Sequence, residues 1–442
     1  MLILVLSMRQ FNRSNPPNLL ATLNEFATAN HTCHVQHSIS QPTVQFERCA
    51  STVASKTHHF GFNISTENRK QWQFLDSTEA KFRDNFRGGI TVEAGDELQS
   101  SDIEVFASVR SGSEDQIEKL GFHDSASALD IEYKPGGNGN ICTEVVIAVF
   151  LRKNLAQDVD LLEIRSQILD IWLKEGVDWK VNNLSTHTSY GETTMMATWP
   201  TPSRMIAQNI SMSSTHGLLF GRIIPPEENL ELRNENGEIG ILMFPNPFYP
   251  TEPFNTQSIS LSTISGPLSL ISVFDVPWPE KDYAHRLSIS TVSGKIRSQA
   301  PHGSYTNYTT VSGDVSCYLR AYGTTKANET SEIYTSSQTG NVSVRVGQAF
   351  ELGHGRFNPL LNTVSEHSVA EGKLQLSYAR DWYGRMYAEI GEGGLSFSGD
   401  SLVKFEQGEG NLTAIRGKEG ESRINAYVGN GEMDVTLGLE KV

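Results

Sequence analysis

The chain has 442 residues, of which 38% are apolar, 9% aromatic and 20% charged, the make-up of a folding chain rather than a disordered one. A formal net charge of −15 argues against the basic face that phosphate contacts need, so nucleic acid is not an expected partner. Four cysteines are too few for a disulfide-built scaffold, and abundant Ser, Thr, Gly and Asn with few long runs of helix formers point to an all-β chain.

The first eight residues form an apolar stub, Met1-Leu2-Ile3-Leu4-Val5-Leu6-Ser7-Met8, too short for a membrane span or a secretory core and without a basic flank. Read literally, the chain is soluble; the alternative is that the stub ends a longer hydrophobic segment, and a membrane is expected as a partner only through such a segment. Residues 1–70, polar beyond the stub and without sustained period, read as a flexible stalk, with weak strands at 43–46 and 60–64. Within it His31, Cys33, His34 and His37 are metal-ligand types at close spacing. They lack a second ligand pair, so they read as incidental histidines, and no metal or cofactor is expected. Cys33 and Cys49 could close a short loop in an oxidising compartment, whereas Cys142 and Cys317 read as buried small hydrophobes.

Residues 71–180 read as a β-rich capping region. Alternation predicts strands at 89–96, 103–109 and 128–133 and a more apolar strand at 144–151, and 113–120 suits a short helix. Residues 158–173 are ambiguous: Leu161, Ile164, Ile168, Ile171 and Trp172 fit a helical period slightly better than a strand.

From 181 to 442 one phrase recurs, β-branched or apolar residues running into Ser/Thr-x-Gly or Ser-Gly and then a further alternation. Its marker glycines are Gly217, Gly237, Gly266, Gly294, Gly313 and Gly340, with an early copy ending at Gly191 and looser ones at Gly372, Gly394, Gly410 and Gly431. The irregular interval is tolerable in a solenoid, where insertions leave as loops. Three short strands per winding would use roughly 20 residues, and glycine would supply positive φ at the turns. The expected fold is therefore a single-stranded β-solenoid, parallel β-helix-like, carrying the β-rich cap and the stalk.

The series Leu261-Ser262-Thr263-Ile264-Ser265-Gly266, Ile289-Ser290-Thr291-Val292-Ser293-Gly294 and Thr310-Val311-Ser312-Gly313-Asp314-Val315 resembles the coils of the "putative adhesin" family, bacterial and fungal domains of unknown function. The segment from Leu374 through Trp382 to Arg385 looks like one found in the longer fungal members, and the stretch from Glu421 through Val435 like their final coils. The resemblance spans about residues 75–440. It implies a β-solenoid, strand rather than helix at 158–173, and a membrane-anchored ectodomain; it carries no catalytic residues.

Nine Asn-x-Ser/Thr sites, at Asn12, Asn30, Asn63, Asn183, Asn209, Asn307, Asn328, Asn341 and Asn411, favour a glycosylated protein at the cell surface or outside the cell. Two loops rich in Pro and aromatics leave successive windings, and Phe248, Tyr249, Phe254, Trp278 and Tyr283 could share one surface for a cell-wall glycan or a surface protein. The same rings could instead pack on one another, leaving a structural spacer. Asp275, Asp282, Asp314 and Asp400 near the turns raise the alternative of a β-helical carbohydrate-active enzyme, a polysaccharide lyase or hydrolase. Asp beside glycine serves turn geometry as well, and no nucleophile elbow, zinc-protease, phosphate-loop or calcium-repeat motif is present, so a non-catalytic binding or structural role is expected.

Overall fold

The structure is a computed structural model that describes residues 56–66, 70–125, 127–134, 142–153, 159–196, 205–244, 256–273, 284–321, 328–348, 357–417 and 422–439. Among the described residues twenty-eight strands are hydrogen-bonded into one continuous sheet, most of it parallel, that winds as a β-solenoid. Among those residues each winding contributes two strands rather than the expected three, one on either side of a sharp corner.

The strands that lead into the corner form the first wall: β8 (Val159–Ser166), β10 (Lys180–Thr188), β12 (Ile206–Ser214), β14 (Asn229–Asn234), β16 (Ser258–Ser265), β18 (Arg286–Ser293), β20 (Tyr305–Ser312) and β22 (Ser331–Thr339). Those that leave it form the second: β9 (Asp170–Leu173), β11 (Thr193–Met196), β13 (Leu219–Ile223), β15 (Ile239–Met243), β17 (Leu268–Ser272), β19 (Ile296–His302), β21 (Val315–Ala321) and β23 (Val342–Gly347). Every strand pairs in parallel with its counterpart one winding on. In β24 (Thr363–Ala379) the two strands run through the corner as one. Residues 158–173, which the helical period claimed, contain β8 and β9: pairing on both neighbours outweighs a weak local pattern.

The parallel stack continues into the N-terminal part for two more strands on each wall, and antiparallel strands close its end. On the second wall β9 pairs with β3 (Phe86–Ala94), β3 with β7 (Thr143–Leu151), β7 with β4 (Ile103–Ser111), and β4 with β1 (Lys56–Ile64). On the first, β8 pairs with β2 (Gln71–Asp76), β2 with β6 (Ala128–Tyr133), and β6 with β5 (Leu120–Asp124). Phe122 lies 4.7 and 5.3 Å from Phe60 and Phe62, joining the walls at this end. The short helix expected at 113–120 is the single turn Glu114–Ile117.

The C-terminal end departs from chain order. After β24 come β25 (Gly384–Gly399), β26 (Leu402–Gln407) and β27 (Asn411–Arg416), and then β28 (Ser422–Leu439) returns to lie between β24 and β25, parallel to both. β27 and β26 extend the first wall antiparallel beyond β25.

The corners explain the glycines. A Cβ on Gly217 would overlap the carbonyl oxygen of Gly191, and the same relation links Gly237 to Gly217, then Gly266, Gly294, Gly313, Gly340, Gly372, Gly431 and finally Gly393. Ten glycines thus stack in one spine. Only Gly266, Gly340, Gly372, Gly431 and Gly393 have φ between +125° and +154°, so close approach of backbones, more than positive φ, dictates the residue. The glycine of the β25 winding is Gly393 rather than Gly394, and Gly410 precedes the antiparallel β27 instead of a corner. Three residues before the glycine, Thr188, Ser214, Asn234, Thr263, Thr291, Thr310 and Ser337 stack in register. Thr188 and Ser214 accept hydrogen bonds from the corner amides of Gly191 and Gly217, both at 2.9 Å.

Five and seven residues before the glycine the side chains point inward. Early windings fill the tube with Leu184, Ile210, Leu230, Ile259 and Leu287, and with Met212, Leu232, Leu261 and Ile289, all buried. Later windings put Thr306, Tyr308, Thr335, Ser365 and His367 at these places, equally buried. Cys317, on β21 of the second wall, is free and buried, as expected; Cys142, by contrast, is half-buried and disulfide-bonded, with its partner outside the described residues.

Candidate functional site: a tyrosine-walled trough

Counting back from the corner glycines also sorts the outer face of the first wall. Residues four, six and eight before the glycine point outward in every winding and stay in register from one winding to the next, whatever the length of the intervening loop. Through β18 these columns hold mostly small polar residues: Ser185, Ser211, Ser260 and Ser288 at the sixth place, Ser213, Ser262 and Ser290 at the fourth. At the eighth, Asn209 donates to Asn183 at 3.2 Å and Asn229 to Asn209 at 2.7 Å, an amide ladder.

Beyond β18 the columns change character. In spatial order the strands present Tyr305 and Asn307 on β20, Tyr334 and Ser336 on β22, Glu366 and Ser368 on β24, Asn425 and Tyr427 on β28, and Tyr387 and Glu389 on β25. Together they line an open trough of about 570 Å³. Tyrosines rise at both ends over a polar floor of Ser336, Glu366, Ser368 and Asn425. The Tyr305 and Tyr334 ring centroids are 5.7 Å apart, and the Arg286 guanidinium stands over Tyr305 at 4.3 Å. At the other end Tyr387 and Tyr427 are exposed, and the Tyr387 hydroxyl donates to Glu389 at 3.1 Å.

The charges leave a mark on the phenols. Desolvation, then the nearby Glu332 and Glu366 carboxylates, push the Tyr334 hydroxyl above its ordinary pKa. The hydrogen bond to Glu389 does the same for Tyr387. Under the floor, His367 Nδ1 lies 2.7 Å from Thr335 Oγ1 on the neighbouring strand, and Nε2 lies 2.8 Å from the Tyr378 hydroxyl on the opposite wall. This bridge braces the trough from inside, and Tyr378 packs in turn on the buried Trp382, 5.8 Å away. Burial holds the His367 imidazole neutral, its pKa lowered to about 3.

Phe248, Tyr249, Phe254, Trp278 and Tyr283, with Asp275, Asp282 and the His31, Cys33, His34, His37 cluster, lie outside the described residues. Asp314 pairs with Lys295 at 3.3 Å and accepts from the Asn341 amide at 3.1 Å, tying three successive windings together. Asp400 pairs at 2.8 Å with Arg416, whose buried guanidinium also donates to the carbonyls of Arg380 and Trp382. Both carboxylates therefore fasten structure. Among the described residues no group of three His, Cys, Asp or Glu side chains could hold a metal ion. Of the sequons, Asn63, Asn183, Asn328, Asn341 and Asn411 are exposed, Asn209 is half-buried in the amide ladder, Asn307 lines the trough, and Asn12 and Asn30 are outside the described residues.

No family model matches the chain, and no curated protein does. Two solved structures align over 86% of it: one named as a "putative cell adhesion protein" from Clostridium sporogenes, 9% identical, covered in full, with a TM-score of 0.16, and one named as a "putative lipid binding protein" from Parabacteroides distasonis, 11% identical, 96% covered, with a TM-score of 0.23.

Proposed function

We propose that the chain is a non-catalytic, adhesin-like binding protein of the cell surface or extracellular space, and that the trough is its contact face for a cell-wall glycan. The observation that carries this reading is the change of the outer columns from Ser and Asn to Tyr and Glu over five consecutive strands. Tyrosine faces over hydrogen-bonding side chains suit a sugar, whose C–H faces stack on rings while its hydroxyls find amides and carboxylates. Strand spacing makes the trough roughly 20 Å long, enough for a short oligosaccharide. The Cys142 disulfide and the sequons support an oxidising compartment. No helix among the described residues is long and apolar enough to cross a membrane.

Retention on purified cell-wall glycan and on a glycan array tests the reading. Tyr334→Ala and Tyr427→Ala, both at outward positions, are each expected to weaken retention about tenfold, the scale of one lost aromatic contact, with the thermal midpoint unchanged. Retention equal to the parent's would remove the trough from the account and turn attention to Tyr249 and Trp278.

Glu366 and Glu389 give the carbohydrate-active-enzyme alternative one observation of its own. They sit two strands and two residues apart, roughly 12 Å at the backbone, against roughly 5–9.5 Å between the carboxyl groups of a glycosidase pair. Release of new reducing ends from a glycan that binds would favour that alternative.

A further inference from the structure

Some carboxylates of the solenoid surface are matched by cations: Lys373 holds Glu432 and Asp434, and Lys295 holds Asp314. The carboxylates beside the tyrosines of the trough are not. Glu332 and Glu366 flank Tyr334, one two residues before it and one directly opposite on β24, and among the described residues neither has an ion-pair partner. Glu389 likewise stands directly opposite Tyr427, its one bond the neutral Tyr387 hydroxyl. Each end thus repeats a motif: a tyrosine ring with an unmatched carboxylate beside it in the next strand. Such a pair is a seat for an ammonium group, drawn by the ring face and by the charge together.

The two seats are roughly 12 Å apart by strand spacing and rise, too far for one small amine to bridge, but suited to groups repeated along an extended chain. A lysine-rich peptide gains little here, because the trough lies within paired strands and offers no backbone edge. A sugar chain needs no edge, since it stacks on rings. We propose that the trough binds a polymer of amino sugars with free amines, Tyr334 with Glu366 receiving one ammonium group and Tyr427 with Glu389 another. The proposal rests on the glycan reading above, and the net charge of −15 favours the encounter.

Titration calorimetry with the full chain, using the β-1,4-linked glucosamine hexamer, its fully N-acetylated form and the glucose hexamer, tests it. The free-amine hexamer is expected to bind at least about fivefold tighter than the acetylated one, with the preference shrinking as salt is raised. Glu366→Gln and Glu389→Gln should each reduce that preference severalfold and together erase it, leaving binding of the acetylated hexamer as it was. Equal binding of the two amino-sugar hexamers, or a preference that survives the double substitution, overturns the ammonium seats while leaving the glycan reading intact. Polylysine bound where none of the three hexamers binds overturns both.

Discussion

At the scale of single residues, the glycine spine makes the most exacting demand. A methyl group on Gly313 would collide with the Gly294 carbonyl, while the Gly313 amide donates to the Thr339 carbonyl on its other side, so the corner cannot step aside without opening that bond. Overpacking of this kind costs about 1–3 kcal/mol or more. Gly394, one residue beyond the spine, has nothing within 4 Å of where its Cβ would be. Gly313→Ala is therefore expected to destabilise by about 3 kcal/mol and Gly394→Ala to stay within about 0.5 kcal/mol, read from urea midpoints. Equal effects would mean that glycine serves the corner through φ or flexibility, not through contact between windings. The spine was legible in the sequence because its residue is irreplaceable. The trough was not, because Tyr305, Tyr334, Tyr387 and Tyr427 are scattered over more than a hundred residues and align only when each is counted back from its own glycine. The aromatic residues around Tyr249 and Trp278 stand out in the sequence instead, being clustered along the chain.

At the scale of elements, β28 decides how the C-terminal end is built. It separates β24 from β25, and its long pairings on both sides hold β25 and, through it, β27 and β26 on the stack. The sequence shows that the last residues form a winding but not where that winding sits, since the glycine phrase carries no label of spatial order. The two described strands per winding, rather than three, are not legible for a related reason: residues between the second strand and the next winding vary in length and composition, so only the corner repeats. If β28 is the keystone, a chain ending at Gly417 should keep slow amide exchange in β10 through β22 and lose most of it across β25, β26 and β27. It should also lose glycan retention, since Asn425 and Tyr427 leave with the strand. Protection preserved in β25 would show that β24 and β25 can pair directly and that the insertion is a finishing step.

At the scale of the whole molecule, the interior is not uniform. Windings up to β17 are mostly apolar inside, with the buried Thr186 an exception, whereas those from 285 to 379 enclose His285, His302 and His367 with Tyr308, Thr335 and Tyr378. Burial lowers the pKa of all three histidines to about 3, with His302 adding repulsion for His285. At His302 and His367 the facing groups, Thr306 for the first and Thr335 and Tyr378 for the second, are neutral, so no carboxylate among them offsets a proton there. An unfolded chain takes up these protons near pH 6.5, the native one only near pH 3, so the stability is complete above about pH 6.5 and is lost as pH falls toward 3. At 1.36 kcal/mol per unit for each group, three histidines remove roughly 6 kcal/mol by pH 5. Asp76, whose burial raises its pKa, works in the opposite sense in the N-terminal part. Because a solenoid's stability is nearly a sum over neighbours, the loss should fall on the C-terminal windings first. Urea unfolding at pH 7.5 and pH 5 is expected to split into two transitions at the lower pH, with exchange protection vanishing from β19 to β24 before β8 to β17. A single transition with the same midpoint at both values would mean that water or rearrangement already solvates these imidazoles, and that the polar interior confers no acid sensitivity.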